Sequence, residues 1–252
     1  MIMRQKHFFF LACTFLVILV IGISASKVYN HFGIMDERQP YSCTKHNDDT
    51  LRLSMIGDSW VFMHKQYDDS LASHLTRAAH RPSKVSSFGI CGLTSKEVYR
   101  CINDNDEMRR LLKQGADYCF VSVGINDTNR KMGASYYARH TVFILRFLLR
   151  NGITPILLEI PDYDIRYTYK IQTYDRKLLR MLSMFITGSS VDCREEYRQA
   201  LVQELERERL THQVLMIPRH VFKRDHFTAD RMHLNEEGYA VLDSCIMRYS
   251  AR

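Results

Sequence analysis

From Leu51 onward, short apolar runs alternate with longer segments patterned at helical spacing. Leu51 to Ile56 is an apolar run closed by Gly57, and it is too short for a helix. Lys84 to Phe88 ends at Gly89, the apolar Tyr118 to Val123 ends at Gly124, and Ile153 to Ile160 is halted by Pro161. Val214 to Ile217 completes a set of five predicted strands. Between them, helical spacing predicts helices over Asp69–Ala79, Ser95–Lys113, Ser135–Arg150, Lys170–Phe185, Cys193–Glu208 and Asn235–Tyr249. The third of these is stopped by Asn151-Gly152. Such alternation, with strands that read as buried, predicts an α/β domain with a parallel sheet covered on both faces. Sites in such sheets form beyond the carboxyl ends of the strands. Three polar clusters come directly after strands: Gly57-Asp58-Ser59, Gly89 to Gly92 and Gly124 to Asp127. They are predicted to meet on one rim.

The N-terminus has a different pattern. Phe8 to Ile23 is almost wholly apolar, preceded by Arg4 and Lys6 and followed by Ser24-Ala25-Ser26. Cations, an apolar run and small residues in that order form an export pattern. Residues 1–26 are read as a signal anchor, with a cleaved signal peptide as the alternative. Cations at the front keep that end in the cytoplasm and send the rest of the chain across the membrane. The expectation is a membrane-anchored protein with an extracytoplasmic domain, periplasmic or at the cell surface, or a secreted one after cleavage. Residues 27–50 are polar and irregular and read as a linker. Residues 51–252 form the predicted domain.

Composition adds limits. A chain of 252 residues accommodates one sizeable α/β domain. With 46% hydrophobic and 25% charged residues, eleven glycines and five prolines, disorder and low complexity are excluded. The net charge is +7, and Arg4, Lys6 and Lys27 supply three of those charges. The rest is a mild excess, read as a solvated surface. No basic stripe interleaved with aromatics appears, so nucleic acid is not an expected partner. Cys13 lies in the apolar run, leaving Cys43, Cys91, Cys101, Cys119, Cys193 and Cys245. No pair has C-x-x-C spacing, so no zinc site is expected, and no other metal or cofactor is expected. An exported domain has scope for disulfides, and Cys91 and Cys101 are the first pair to test. Cys119, inside an apolar strand, reads as a free core thiol.

The polar clusters carry candidate chemistry. A serine hydroxyl is a weak nucleophile and needs a base, most often a histidine oriented by a carboxylate. Asp230-Arg-Met-His233 offers both, and an i, i+3 turn can bring the carboxylate back to Nδ1. Nε2 is then free to face Ser59. Attack on an ester builds negative charge on the carbonyl oxygen, which needs waiting donors. Backbone N–H groups after strand-end glycines and an Asn amide are suitable. Singly, each signal is weak: a Gly-Asp-Ser triplet is often only a turn, and Asp-x-x-His is often only a helix start. Three at strand ends and one before the last helix form an ordered set. His64, His74, His80 and His140 lie on helical stretches and read as surface residues. The segment Tyr163 to Tyr174, with Asp162, Asp164 and Arg166, reads equally as a cleft wall for sugars or as ordinary packing.

The ordered set resembles the SGNH hydrolase superfamily, the GDSL-type esterases and lipases. Its blocks match Ile56-Gly-Asp-Ser-Trp60, Phe88-Gly-Ile-Cys-Gly-Leu-Thr-Ser95, Val123-Gly-Ile-Asn-Asp127 and Asp230-Arg-Met-His-Leu-Asn-Glu-Glu-Gly-Tyr239. Trp60 stands where the family commonly has Leu. The resemblance implies a flavodoxin-like three-layer sandwich around a five-stranded parallel sheet. It implies a Ser59–His233–Asp230 triad, with Ser59, Gly92 and Asn126 as oxyanion donors and Gly89 as the alternative to Gly92. Asp58 and Asp127 are expected to hold their loops. The function expected first is an exported ester hydrolase removing acetyl or short acyl groups from glycans. Alternatives are an acyltransferase modifying envelope polysaccharide, a lipase or lysophospholipase, and a degenerate glycan-binding domain. The expected partners are an acyl-ester substrate and, through the N-terminal segment, a membrane.

Overall fold

The computed structural model describes residues 14, 15, 25 and 28–251. Apart from Thr14 and Phe15, the apolar run Phe8 to Ile23 read as a signal anchor lies outside them. No helix among the described residues is long and apolar enough to cross a membrane. The chain divides into two compact units, one up to Ile34 and one from Met35. Among the described residues, the second unit carries every strand.

Its five strands are β1 (Leu51–Gly57), β2 (Ser83–Gly89), β3 (Tyr118–Ser122), β4 (Thr154–Leu158) and β5 (Leu215–Ile217). They form one parallel sheet in the order β2-β1-β3-β4-β5. The chain first steps from β1 to β2, then reverses and builds outward through β3. Right-handed crossovers therefore place α2 (Asp68–Ala79) and the closing helix α10 (Glu236–Ser250) on one face. The other face carries α3 (Ser95–Asp104), α4 (Asp106–Lys113), α6 (Ala134–Arg150) and α9 (Arg194–Arg207). The reversal between β1 and β3 is the switch point at which such sheets open a crevice.

Burial explains why the strands read as continuous apolar runs. Leu51, Met55 and Ile56 of β1, Phe120 and Val121 of β3, and Ile156 and Leu157 of β4 are all fully buried. Each such side chain contributes about 1.5–3 kcal/mol. The register sets Gly57 opposite both Gly89 and Ser122, so three strands end level. That alignment brings the three polar clusters to one rim. Gly57 has to be a glycine: a Cβ there would lie 2.3 Å from the Ser122 carbonyl oxygen.

Several expectations change. The predicted Ser95–Lys113 helix breaks at Asn105, which has extended backbone and caps α4 by accepting from the N–H groups of Glu107 and Met108, both at 3.0 Å. Asparagine favours this capping role over a helix interior. The helix predicted over Lys170–Phe185 is two, α7 (Ile165–Lys170) and α8 (Tyr174–Thr187). Two six-residue helices follow strands where no helix bounds were predicted, α1 (Ser59–His64) and α5 (Ile125–Arg130). One turn and a half is too short to show periodicity.

His64 and His140 are not surface residues; both are fully buried, while His74 and His80 are exposed. His140 meets the Tyr136 carbonyl through Nδ1 at 2.7 Å and accepts from the Met35 N–H through Nε2 at 3.0 Å. Burial pushes its pKa down to about 4. The segment from Met35 to Thr50 has no helix or strand. It is nonetheless fastened to the body by Arg38 N–H to Tyr99 Oη (2.5 Å), Cys43 N–H to Asn151 Oδ1 (2.7 Å) and an Arg146–Glu37 ion pair (2.8 Å). All six cysteines after Cys13 are free, Cys91 and Cys101 included, and Cys119 is buried.

Candidate active site

Ser59 is the first residue of α1, directly beyond the end of β1. Asp58 caps the helix by accepting from the Trp60 N–H at 3.1 Å. A residue at this position has no intrahelical acceptor for its N–H, and the helix end carries partial positive charge. Trp60 is wholly buried against Phe222 and Phe227, with ring centroids 5.3 and 6.3 Å away. The large ring in place of leucine thus fills a hydrophobic slot beneath the turn.

His233 and Asp230 reach Ser59 from the far end of the sequence. Phe227 and Leu234 form an antiparallel bridge, and the loop between them is closed by the Thr228 N–H to the His233 carbonyl at 2.8 Å. Arg231 takes a left-handed backbone (φ 62°) to complete the turn. His233 Nε2 lies 2.9 Å from Ser59 Oγ, and its Nδ1 lies 2.5 Å from Asp230 Oδ2. Asp230 Oδ1 accepts from Thr228 Oγ1 (2.7 Å) and from the N–H groups of Met232 (2.9 Å) and His233 (3.0 Å). Partial burial alone would raise this carboxyl, but these donors outweigh it and hold its pKa at about 2. Asp230 is therefore an anion throughout the neutral range, fixed against the imidazole.

The other two clusters face the same turn. Asn126 Nδ2 donates to Asp58 Oδ2 at 3.3 Å and to the Leu93 carbonyl at 3.1 Å, so it joins all three strand ends. Gly92 has a left-handed backbone (φ 83°), and among the described residues its N–H meets no backbone acceptor. Its carbonyl is held by Arg130 Nη2 at 2.7 Å, which sets the orientation of that loop. Sequence reasoning missed Arg130; its only signal is a place one helical turn after Asn126. Gly89 serves packing, because a Cβ there would lie 2.3 Å from the Phe62 nitrogen and 2.7 Å from the Asp58 carbonyl oxygen.

Two buried carboxyls pin the loops. Asp127 accepts from Ser95 Oγ (2.6 Å) and the Ser95 N–H (2.9 Å), locking the second cluster to the third. Asp58 accepts from Ser122 Oγ at 3.1 Å besides Trp60 and Asn126. Burial raises Asp58 to about 7 and Asp127 to about 6. Among the described residues, no group of three or more His, Cys, Asp or Glu is placed to hold a metal ion. Tyr163 is not part of a cleft wall: it is fully buried, its hydroxyl 2.9 Å from Thr128 Oγ1.

The fold and this rim define a class of structure. The chain superposes on a GDSL-like lipase from Bacteroides thetaiotaomicron with a TM-score of 0.53 and 13% identity, covering 78% of this chain and 86% of that one. A lipase/acylhydrolase from Enterococcus faecalis gives 0.55 at 16% identity, covering 80% and 95%. A psychrotrophic esterase from Pseudoalteromonas gives 0.53 at 15% identity, covering 80% and 96%. No family model and no curated protein sequence matches the chain. The protein therefore has the fold of the GDSL-type lipases and esterases, in agreement with the resemblance carried by its four sequence blocks.

Proposed function

We propose that the protein is a serine carboxylic-ester hydrolase with Ser59 as nucleophile, His233 as base and Asp230 as the residue that orients His233. The observation that carries this reading is the continuous path from Ser59 Oγ, at the start of a helix, through His233 to an ionised Asp230. Ser59 Oγ attacks the ester carbonyl carbon as its proton passes to His233 Nε2. Asp230 keeps the other ring proton on Nδ1 and stabilises the imidazolium. The carbonyl oxygen becomes an anion, received by the N–H groups of Ser59 and Gly92 and the side chain of Asn126. Asn126 reaches it by yielding its longer contact, to Asp58. The intermediate collapses, Nε2–H protonates the departing alcohol, and water repeats the sequence to free the acid. Ser59→Ala should abolish turnover of p-nitrophenyl acetate by the full chain, a loss of about 10⁴-fold or more. Undiminished turnover would overturn the assignment.

An exported location is part of the proposal and rests on the N-terminal sequence pattern alone. Glycan-borne short acyl esters are the first expectation for the substrate. A lipid-borne ester has a specific observation in its favour: Tyr163 is buried, and the helix beyond it exposes Leu178, Leu179, Met181, Leu182, Phe185 and Ile186. Rates across ester series of increasing acyl length separate the two readings.

A further inference from the structure

Helix α8 is turned inside out. Tyr174, Leu178, Met181, Leu182 and Phe185 follow i, i+4, i+7, i+8 and i+11 spacing, which is one face of a helix. That face points away from the protein, with Tyr174 83% exposed and Phe185 89% exposed. Leu179 and Ile186 widen it, and Ile171, just before the helix, is also exposed. The inward side carries Arg180, which is buried. Its guanidinium donates to Asn129 Oδ1 at 2.6 Å and lies over the Tyr169 ring. A surface helix ordinarily buries its apolar stripe and shows its charges. A contiguous apolar patch of this kind marks a surface that meets another phase or partner.

We propose that α8 is a docking helix that lies in the headgroup region of an anionic lipid membrane. Charge selects this occupant. The segment 165–191 carries Arg166, Lys170, Arg176, Lys177 and Arg180 against the single acid Asp175. Arg166, Lys170 and Arg176 are exposed. An apolar face with exposed cations in excess on the same segment suits an anionic bilayer, where burial and electrostatic attraction add. A second copy of this chain would bring the same cations face to face, on a protein already at +7. Length sets the orientation: fourteen residues extend about 21 Å, short of the ~30 Å hydrocarbon core. The helix therefore lies along the surface and does not span it.

The patch adjoins the candidate site. Asn129, which holds Arg180, also donates to Met232 Sδ at 3.0 Å, and Met232 precedes His233. Docking through α8 would hold this rim at the lipid surface. The docking itself stands without the ester-hydrolase reading; only its effect on catalysis rests on that reading.

The test uses the full chain and its single tryptophan. Trp60 is wholly buried, so F185W adds a reporter that senses only the surroundings of α8. An apolar N-terminal segment entering the bilayer does not imitate its signal. With phosphatidylglycerol vesicles, F185W emission should shift to the blue and be quenched by brominated acyl chains. Phosphatidylcholine vesicles or high salt should weaken both effects. L182E/F185E should bind phosphatidylglycerol vesicles at least about tenfold more weakly. It should also lose turnover of vesicle-borne esters while keeping that of p-nitrophenyl acetate. Unchanged F185W emission with phosphatidylglycerol vesicles would overturn the proposal. So would a blue shift that grows with protein concentration in the absence of lipid, which would make the patch a contact between copies. Normal lipid quenching in a protein inactive on every ester would leave docking standing and remove the hydrolase reading.

Discussion

Raising the pH should weaken the fold through His64. This residue ends α1, the helix that Ser59 begins, and is fully buried. Its Nε2 lies 2.6 Å from Asp243 Oδ1 on α10, and its Nδ1 lies 3.5 Å from Asp68 Oδ1 on α2. Burial by itself pushes the imidazole pKa down, but hydrogen bonds and charge from Asp243 and Asp68 outweigh it and raise the pKa to about 9. An unfolded chain would release this proton near pH ~6.5. The gap corresponds to about 3 kcal/mol of folding stability. That contribution is complete below pH ~6.5, where both states hold the proton. It fades as the pH rises toward about 9, because the folded state keeps a proton that the unfolded chain has lost. Urea unfolding of the full chain from pH 6 to 9.5, compared with H64Q/D243N, isolates this group from Asp58 and Asp127, which titrate lower. The stability difference between the two proteins should narrow by about 3 kcal/mol across the window. Parallel curves would refute the reasoning. Removing His64 alone, as H64L, should cost about 3–5 kcal/mol because it leaves Asp243 unpaired.

Three further outcomes are expected from the geometry. Asn126→Ala should lower kcat on p-nitrophenyl acetate by about 10²–10³-fold with little change in KM, and a loss confined to KM would count against an oxyanion role. Asp230→Asn should lower kcat by about 10⁴-fold with the fold intact by circular dichroism, since the amide favours the wrong tautomer of His233; near-normal kcat would remove Asp230 from the triad. Gly89→Ala should destabilise by about 1–3 kcal/mol or more, because its Cβ would meet backbone atoms of Asp58 and Phe62 that side-chain rotation cannot clear. An unchanged thermal midpoint would contradict that contact.

The alternation of apolar runs and helical segments was sufficient to foresee the sheet, because a strand buried on both faces must be apolar at consecutive positions. Strand-end glycines marked the rim for a related reason: at Gly57 and Gly89 the backbone passes too close to its neighbours for any Cβ. Asp230 and His233 were legible as a pair because three residues in a turn suffice to bring them together. Their distance from Ser59 was not, since 174 positions separate Ser59 from His233 and only the folded sheet closes that gap. The burial of His64 and His140 was also decided by tertiary packing. A histidine on a helix looks the same in sequence whether its face meets water or, as for His64, a carboxylate on another helix. Helix α8 shows the converse. Its apolar stripe was plain in the sequence, but periodicity marks a face without saying where it points. The folded chain settles it: Arg180, buried against Asn129 and Tyr169, marks the inward side, and the stripe faces out.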